Sequence, residues 1–244
     1  MFKLRSLMLV SVLSLMACSA DAKVENELKA KMAKHFPEAP VTSVRPAPIK
    51  GLYEVVLGKK MIVYSDAKAE YVIVGEVINT ANRQSVTRAR MDELNTVDFA
   101  KLPFDLALKE VRGTGARKLA VFTDPDCPYC KMVEANGLKG LENVTIYRFL
   151  MPIASLHPDA ARKSKLVWCA KDRNVAWQNW IEKNQLPEGG KADCDNPVEK
   201  TVQLGQELGV DGTPALFFEN GKRVPGAIDK AQIEKLLVEA AAKK

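Results

Sequence analysis

Apolar residues recur every four positions at Val24, Leu28, Met32 and Phe36. That spacing predicts an amphipathic helix, stopped by Pro37. Pro40, Pro46 and Pro48 then favour extended or turn structure. Three short runs rich in β-branched and aromatic residues follow at 52–57, 61–65 and 71–74. Gly58-Lys59-Lys60 and Asp66-Ala67-Lys68 separate them, so the block reads as an antiparallel meander. One helix on three strands is a marginal unit by itself, and pairing with a second copy would complete it.

Residues 79–95 are polar and arginine-rich, with Val86, Met91 and Leu94 as sparse apolar points. We read them as a connecting helix, broken at Leu102-Pro103. Residues 104–111 read as a further helical turn with Leu106, Leu108 and Val111 buried. Gly113-Thr114-Gly115 marks a boundary. Beyond it the pattern alternates. Strands are expected at 118–123 and 144–150, and a helix at 130–138. Helices at 158–171 and 174–183 carry Trp168, Trp177 and Trp180, and another covers 197–208. A hairpin turns at Asn220-Gly221 between 215–219 and 222–225. The closing helix, 228–242, turns Ile233, Leu236, Leu237 and Ala240 to the core.

Composition adds an address. The 244 residues are 47% hydrophobic and 27% charged, enough to bury a core without a disulfide scaffold. Lys3 and Arg5 precede an apolar stretch at 7–17 and then small residues, the pattern of an export signal too short to span a membrane. Two exits are open. Ala20-Asp21-Ala22 permits cleavage after residue 22. Leu15-Met16-Ala17-Cys18 resembles a lipobox, in which residues 1–17 leave and Cys18 is lipidated. The net charge of +6 is spread along the chain without aromatic–basic clusters, which argues against nucleic-acid binding.

Four cysteines then remain in an exported chain, which favours disulfide chemistry. Cys127 and Cys130 form C-x-x-C directly after the apolar run Leu119-Ala120-Val121-Phe122 and Thr123-Asp124-Pro125-Asp126. A strand, a sharp turn and a helix opening on C-x-x-C is the context of a thioredoxin-like redox site. Cys127 at the helix start faces unpaired N–H groups and the positive end of the dipole, and is expected to be the exposed, low-pKa nucleophile. Cys130, one turn on, is the buried resolving thiol, and Pro128 suits the first helical position. Asp126 disfavours a thiolate, and Lys131 is the cation available to offset it. Zinc would need a second ligand pair, while His35 and His157 stand isolated, so neither a metal nor another cofactor is expected.

The second signature is Gly212-Thr213-Pro214-Ala215, about 85 residues on and just ahead of the hairpin. A cis Thr213-Pro214 bond would offer the Thr213 backbone to an extended substrate. Cys169 and Cys194 read as a structural disulfide closing a loop of about 25 residues, worth about 3–4 kcal/mol. The alternative is a third redox-active thiol.

Together these residues resemble the DsbC/DsbG-type bacterial thiol:disulfide interchange proteins, most closely the DsbC branch. The resemblance is carried by F-T-D-P-D-C-P-Y-C at 122–130, W-C-A-K-D-R-N at 168–174 and G-V-D-G-T-P-A at 209–215, beside the signal and the β-rich start. It implies an α+β fold in three parts: a dimerisation domain at 23–84, a linker-helix region at 85–112, and a thioredoxin-like catalytic domain with a helical insertion at 113–244. It further implies a periplasmic V-shaped homodimer in which Cys127 attacks wrong disulfides of exported proteins. Cys130 or a substrate thiol then resolves the adduct, and a DsbD-type membrane reductase recharges the pair. Thr213 and Pro214 take the cis-proline role, and Pro128 and Tyr129 join them at the substrate. The expected activity is disulfide isomerisation or reduction with chaperone-like binding of unfolded clients. A DsbG-like reductase of sulfenylated single cysteines and a mainly holdase dimer stay open.

Overall fold

The computed structural model describes residues 10–58 and 61–242. Lys3 and Arg5 of the expected signal, the side chain of Cys18, and Lys59 and Lys60 of the expected turn lie outside the described residues. The chain divides between Leu94 and Asn95 into two compact units.

In the first unit, helix α1 (Val10–His35) precedes an antiparallel sheet of β1 (Val41–Pro46), β2 (Leu52–Leu57), β3 (Met61–Asp66) and β4 (Val72–Ile73), in that spatial order. Both expected signal exits fall within α1. Strand alternation splits the apolar residues between two faces. Val55, Leu57 and Val63 pack with Leu28 and Met32 of α1, while Val56, Ile62 and Tyr64 pack against Val77, Met91 and Leu94. Buried Glu54 accepts a bidentate bond from Arg45 at 2.9 Å and another from Arg90 at 3.0 Å. The charge is therefore paired within its low-dielectric surroundings.

The expected helix at 79–95 forms only in part. Its first half is the hairpin β5 (Ile78–Asn79) and β6 (Gln84–Ser85), and α2 covers Val86–Leu94. The cause is local. Asn79 and Asn82 accept bonds from the Ala81 and Gln84 N–H groups, holding turns that compete with a helix, and Ser85 accepts from the Arg88 N–H at the helix entry. The region 85–112 is thus not one linker helix. After α2 come two short 3-10 turns, Phe99–Lys101 and Phe104–Leu106, and then strand β7 (Leu108–Arg112). Val111, expected in the core, is 54% exposed. Leu106 and Leu108 alternate as in a strand while Leu108 and Val111 keep a helical spacing, and pairing with Val144–Leu150 decides for the strand, which turns Val111 to the face opposite Leu108.

The second unit is built on five strands in the order β11-β10-β8-β9-β7. Strands β8 (Arg117–Thr123) and β9 (Val144–Leu150) run parallel at its centre. Strand β10 (Ala215–Phe218) pairs antiparallel with β8, β11 (Arg223–Pro225) with β10, and β7 with β9. Helix α3 (Pro128–Met132), continued by a π-helical turn at Val133–Leu138, connects β8 to β9. The remaining helices are α4 (Ala160–Cys169), α5 (Arg173–Lys183), α6 (Val198–Glu207) and α7 (Lys230–Ala241). Leu119 and Val121 face α7 through Ile233 and Leu237; Ala120 and Phe122 face the opposite core with Phe149 and Phe217. A strand covered on both faces explains the unbroken apolar run before the C-x-x-C. The hairpin turn is tight: a Cβ on Gly221, at φ +80°, would lie 2.3 Å from the Val97 carbonyl oxygen, so glycine is required there.

The helix that follows β8 is also pinned from beneath. Arg148 of β9, fully buried, bonds Glu134 of the π-helical turn at 2.6 and 2.9 Å and Glu110 of β7 at 2.7 Å, and Trp177 Nε1 donates to Glu134.

Candidate redox site

Strand β8 delivers the chain into a three-residue turn, and α3 begins immediately after it. Cys127 is the N-cap residue of α3, with extended backbone, and Pro128 occupies the first helical position. The loop is organised by Asp124, which is wholly buried. Its carboxylate accepts from the Asp126 N–H at 2.8 Å and the Ile153 N–H at 2.7 Å, and lies 3.0 Å from His157 Nδ1. The Asp124 N–H in turn points at Cys130 Sγ, 3.4 Å away.

Both sulfurs are free thiols. Cys127 Sγ lies 3.3 Å from the Thr213 carbonyl oxygen, and the Thr213-Pro214 peptide is cis. The structure therefore brings Cys127, Cys130, Thr213 and Pro214 together. Pro128 and Tyr129 are exposed beside them. One expectation needs correcting. Cys127 is only 5% exposed, against 0% for Cys130, because the Thr213-Pro214 segment covers it. The nucleophile is recessed rather than open.

The environment separates the two thiols. The Cys130 thiol, hydrogen-bonded to the Cys127 sulfur, is the largest influence lowering the Cys127 pKa; burial opposes it, and the Cys130 N–H, Thr213 and the Tyr129 N–H lower it further, to about 5. Burial, then the neighbouring Cys127 sulfur, pushes Cys130 well above the usual thiol value. One sulfur is poised as thiolate at neutral pH while the other holds its proton.

Lys131 does not offset Asp126. Its Nζ bonds Asn184 Oδ1 at 2.6 Å and sits 4.8 Å above the Trp180 ring. The cation on Asp126 is Lys163 of α4, whose Nζ lies 2.7 and 2.8 Å from the two carboxylate oxygens. Trp180 of α5 closes the clamp, its indole N–H donating to the Pro125 carbonyl at 2.7 Å. Asp124, His157, Lys163 and Trp180 are the residues that sequence reasoning missed as parts of the site. The Asp three residues before C-x-x-C was a visible signal; nothing in the sequence linked residue 163 to residue 126.

Cys169 and Cys194 are joined in a disulfide, with Cα atoms 5.8 Å apart. Cys169 is the last residue of α4, and Arg173 stacks 3.8 Å from the neighbouring Trp168 ring.

Residues 104–241 match the thioredoxin-like domain, and residues 17–88 the disulfide bond isomerase protein N-terminal domain. A probable thiol:disulfide interchange protein DsbC of Bordetella parapertussis is 42% identical over 207 residues, covering 85% of this chain and 72% of its own. The thiol:disulfide interchange protein DsbC of Escherichia coli is 27% identical over 206 residues, covering 81% of each. The crystal structure of a disulfide interchange protein from Neisseria gonorrhoeae superposes with a TM-score of 0.54 at 47% identity, over 57% of this chain and 98% of that one. A helix-capping thiol beside a cis-proline in the thioredoxin-like domain, the second matched domain ahead of it, and 42% identity to a relative over most of the chain lead to one assignment: the chain belongs to the DsbC family of thiol:disulfide interchange proteins and is a thiol oxidoreductase/isomerase.

Proposed function

We propose that the protein is a periplasmic disulfide isomerase that rearranges incorrect disulfides in exported clients through Cys127 and Cys130. The observation that carries this reading is the split between the two thiols: one held to about 5, the other pushed up, across a single helical turn. The Cys127 thiolate attacks a client disulfide, forming one S–S bond to the client while the second client sulfur leaves as a thiolate. A different thiolate of the client can then attack the client sulfur of this mixed disulfide, which returns the Cys127 thiolate and leaves the client with a new pairing and no net oxidation. Alternatively Cys130 loses its proton and attacks Cys127, which releases a reduced client and leaves a Cys127–Cys130 disulfide. A membrane thiol reductase of the DsbD type would then supply two electrons. Thr213, Pro214, Pro128 and Tyr129 form the surface the client strand meets, with the first pair beside the sulfur and the second exposed. The signal-like start of the sequence supports export of the chain.

The N-terminal unit supports a homodimer. Tyr71, Ile73 and Val74 on and beside the edge strand β4 are 73%, 51% and 77% exposed, an apolar edge that a second copy would pair and cover. Ile73→Asp should give a monomer by light scattering at micromolar concentration.

The deciding experiment compares the wild type with Cys127→Ala on a scrambled multi-disulfide client. Native disulfides should return only with the wild type. Equal recovery with both proteins would leave a holdase, and faster action on sulfenylated single-cysteine clients would leave a DsbG-like reductase.

A further inference from the structure

The redox loop carries a formal negative charge one residue from its nucleophile, and the chain supplies a partner for that charge from another element. We infer that Lys163 is a positioning residue for the interchange reaction: by neutralising Asp126 it keeps a like charge from destabilising the Cys127 thiolate. The inference rests on Cys127 being the attacking sulfur.

Several observations bear on it. The contact is bidentate, at 2.7 and 2.8 Å, and both side chains are less than a fifth exposed, so water and salt screen it poorly. Lys163 Nζ also lies 4.7 Å above the Trp180 ring, whose indole N–H holds the Pro125 carbonyl. The ammonium is thus fixed on an aromatic face under the loop it neutralises. The other charged groups near the thiol are already engaged. Asp124 is bonded by two backbone N–H groups and lies against His157. Lys131 of α3 is held by Asn184 and Trp180. Asp159 of α4, 3.5 Å from Lys163, takes two bonds from Arg162, which is also within electrostatic range of Asp126. Across the site Thr213 contributes only a carbonyl and a hydroxyl, and Cys130 keeps its proton.

The chemistry follows directly. An unpaired carboxylate beside a thiol raises its pKa, typically by about one unit or more at close range. Reactivity then falls at acidic pH, and the reduced form becomes less stable relative to the disulfide.

The test is a charge cycle on the reduced full-length protein, reading the pH midpoint of Cys127 carboxymethylation, with mass spectrometry locating the modified thiol. Lys163→Met should raise the midpoint by about one pH unit. The same variant should shift the glutathione redox equilibrium towards the disulfide by up to about tenfold. Lys163→Arg should stay near the wild type. Asp126→Asn should move the midpoint down, and Asp126→Asn/Lys163→Met should return it to within about 0.3 units of the wild type. An unmoved midpoint in Lys163→Met, with label still on Cys127, would overturn the inference. So would a double variant as displaced as Lys163→Met alone, because the lysine would then act through loop geometry and not charge. Label landing on Cys130 in the wild type would instead sink the assignment of the nucleophile, and the inference with it.

Discussion

The second unit holds two pairs of cysteines with opposite fates, and the difference lies in where the helices put them. Cys127 stands at the N-terminal end of α3, Cys169 at the C-terminal end of α4. At the first position unpaired N–H groups stabilise negative sulfur; at the second, the carbonyl end of the helix disfavours it. Cys127 is an acidic thiol, lowered first by the Cys130 thiol and further by these N–H groups, beside a partner that keeps its proton. Cys169 has no such stabilisation and is tied to Cys194 across 25 residues of sequence. Proximity alone does not separate a redox couple from a brace, since both pairs are close. What separates them is a local field that favours thiolate on one sulfur only.

That contrast can be broken most visibly at Cys130. Cys130→Ala removes the resolving thiol and, with it, the hydrogen bond that does most to lower the Cys127 pKa; the N–H groups at the N-cap stay, so at neutral pH attack still proceeds and release does not. Covalent client adducts should accumulate on non-reducing gels. Net reduction should fall well over tenfold, because an intramolecular thiol one turn away has a large effective concentration. If Cys169→Ala/Cys194→Ala accumulates the same adducts, the two pairs are not functionally distinct.

The next effect is on stability. Cys169→Ala/Cys194→Ala removes a crosslink worth about 3–4 kcal/mol by loop entropy, which lowers Tm by about 10 °C in a domain of this size. Interchange turnover should stay within about twofold of the wild type at 25 °C. A drop in turnover as large as that from Cys127→Ala would place the bridge inside the catalytic machinery.

How far this could be read from the sequence depended on the range of the interaction involved. The strand–turn–helix around Cys127 is a local event, written in Leu119 to Phe122 and in Pro128, and the structure follows it closely. The pairing of β7 with β9 is not local, and there the run from Leu106 to Val111 was misread as helical. The hairpin ahead of α2 was hidden because its turns are held by Asn79 and Asn82, whose side-chain bonds leave no hydrophobic period. The same distinction applies at the site. Cys127, Cys130 and the Thr213-Pro214 segment carry motifs. The partner of Asp126 does not: Lys131 is the nearest cation along the chain beyond the motif, but a helix brought in from residue 160 onward supplies Lys163 instead. Charge partners are chosen by tertiary packing, and spacing along the chain does not encode them.

The remaining effect is the one that tests the field most directly. A thiol whose folded pKa is about 5, against an ordinary value of 9.0, binds fewer protons in the folded state than in the unfolded one across that interval. Stability of the reduced protein from this group is therefore absent below pH 5, grows as pH rises towards 9, and is level above it. Cys130 acts in the opposite sense, since its folded pKa is raised; its contribution is lost only once pH passes the ordinary thiol value, so the window from 5 to 9 isolates Cys127. The measurement is the urea midpoint of reduced wild type against reduced Cys127→Ser from pH 5 to 8.5, at a reductant concentration that spares the Cys169–Cys194 bridge. The difference between the two proteins should widen steadily with pH. The bridge has no proton to exchange and adds no slope of its own while it stays closed. A difference that does not change with pH would mean that the folded N-cap leaves the Cys127 thiol as acidic as it is in the unfolded chain, and the contrast between the two sulfur pairs would reduce to which of them happens to be bonded.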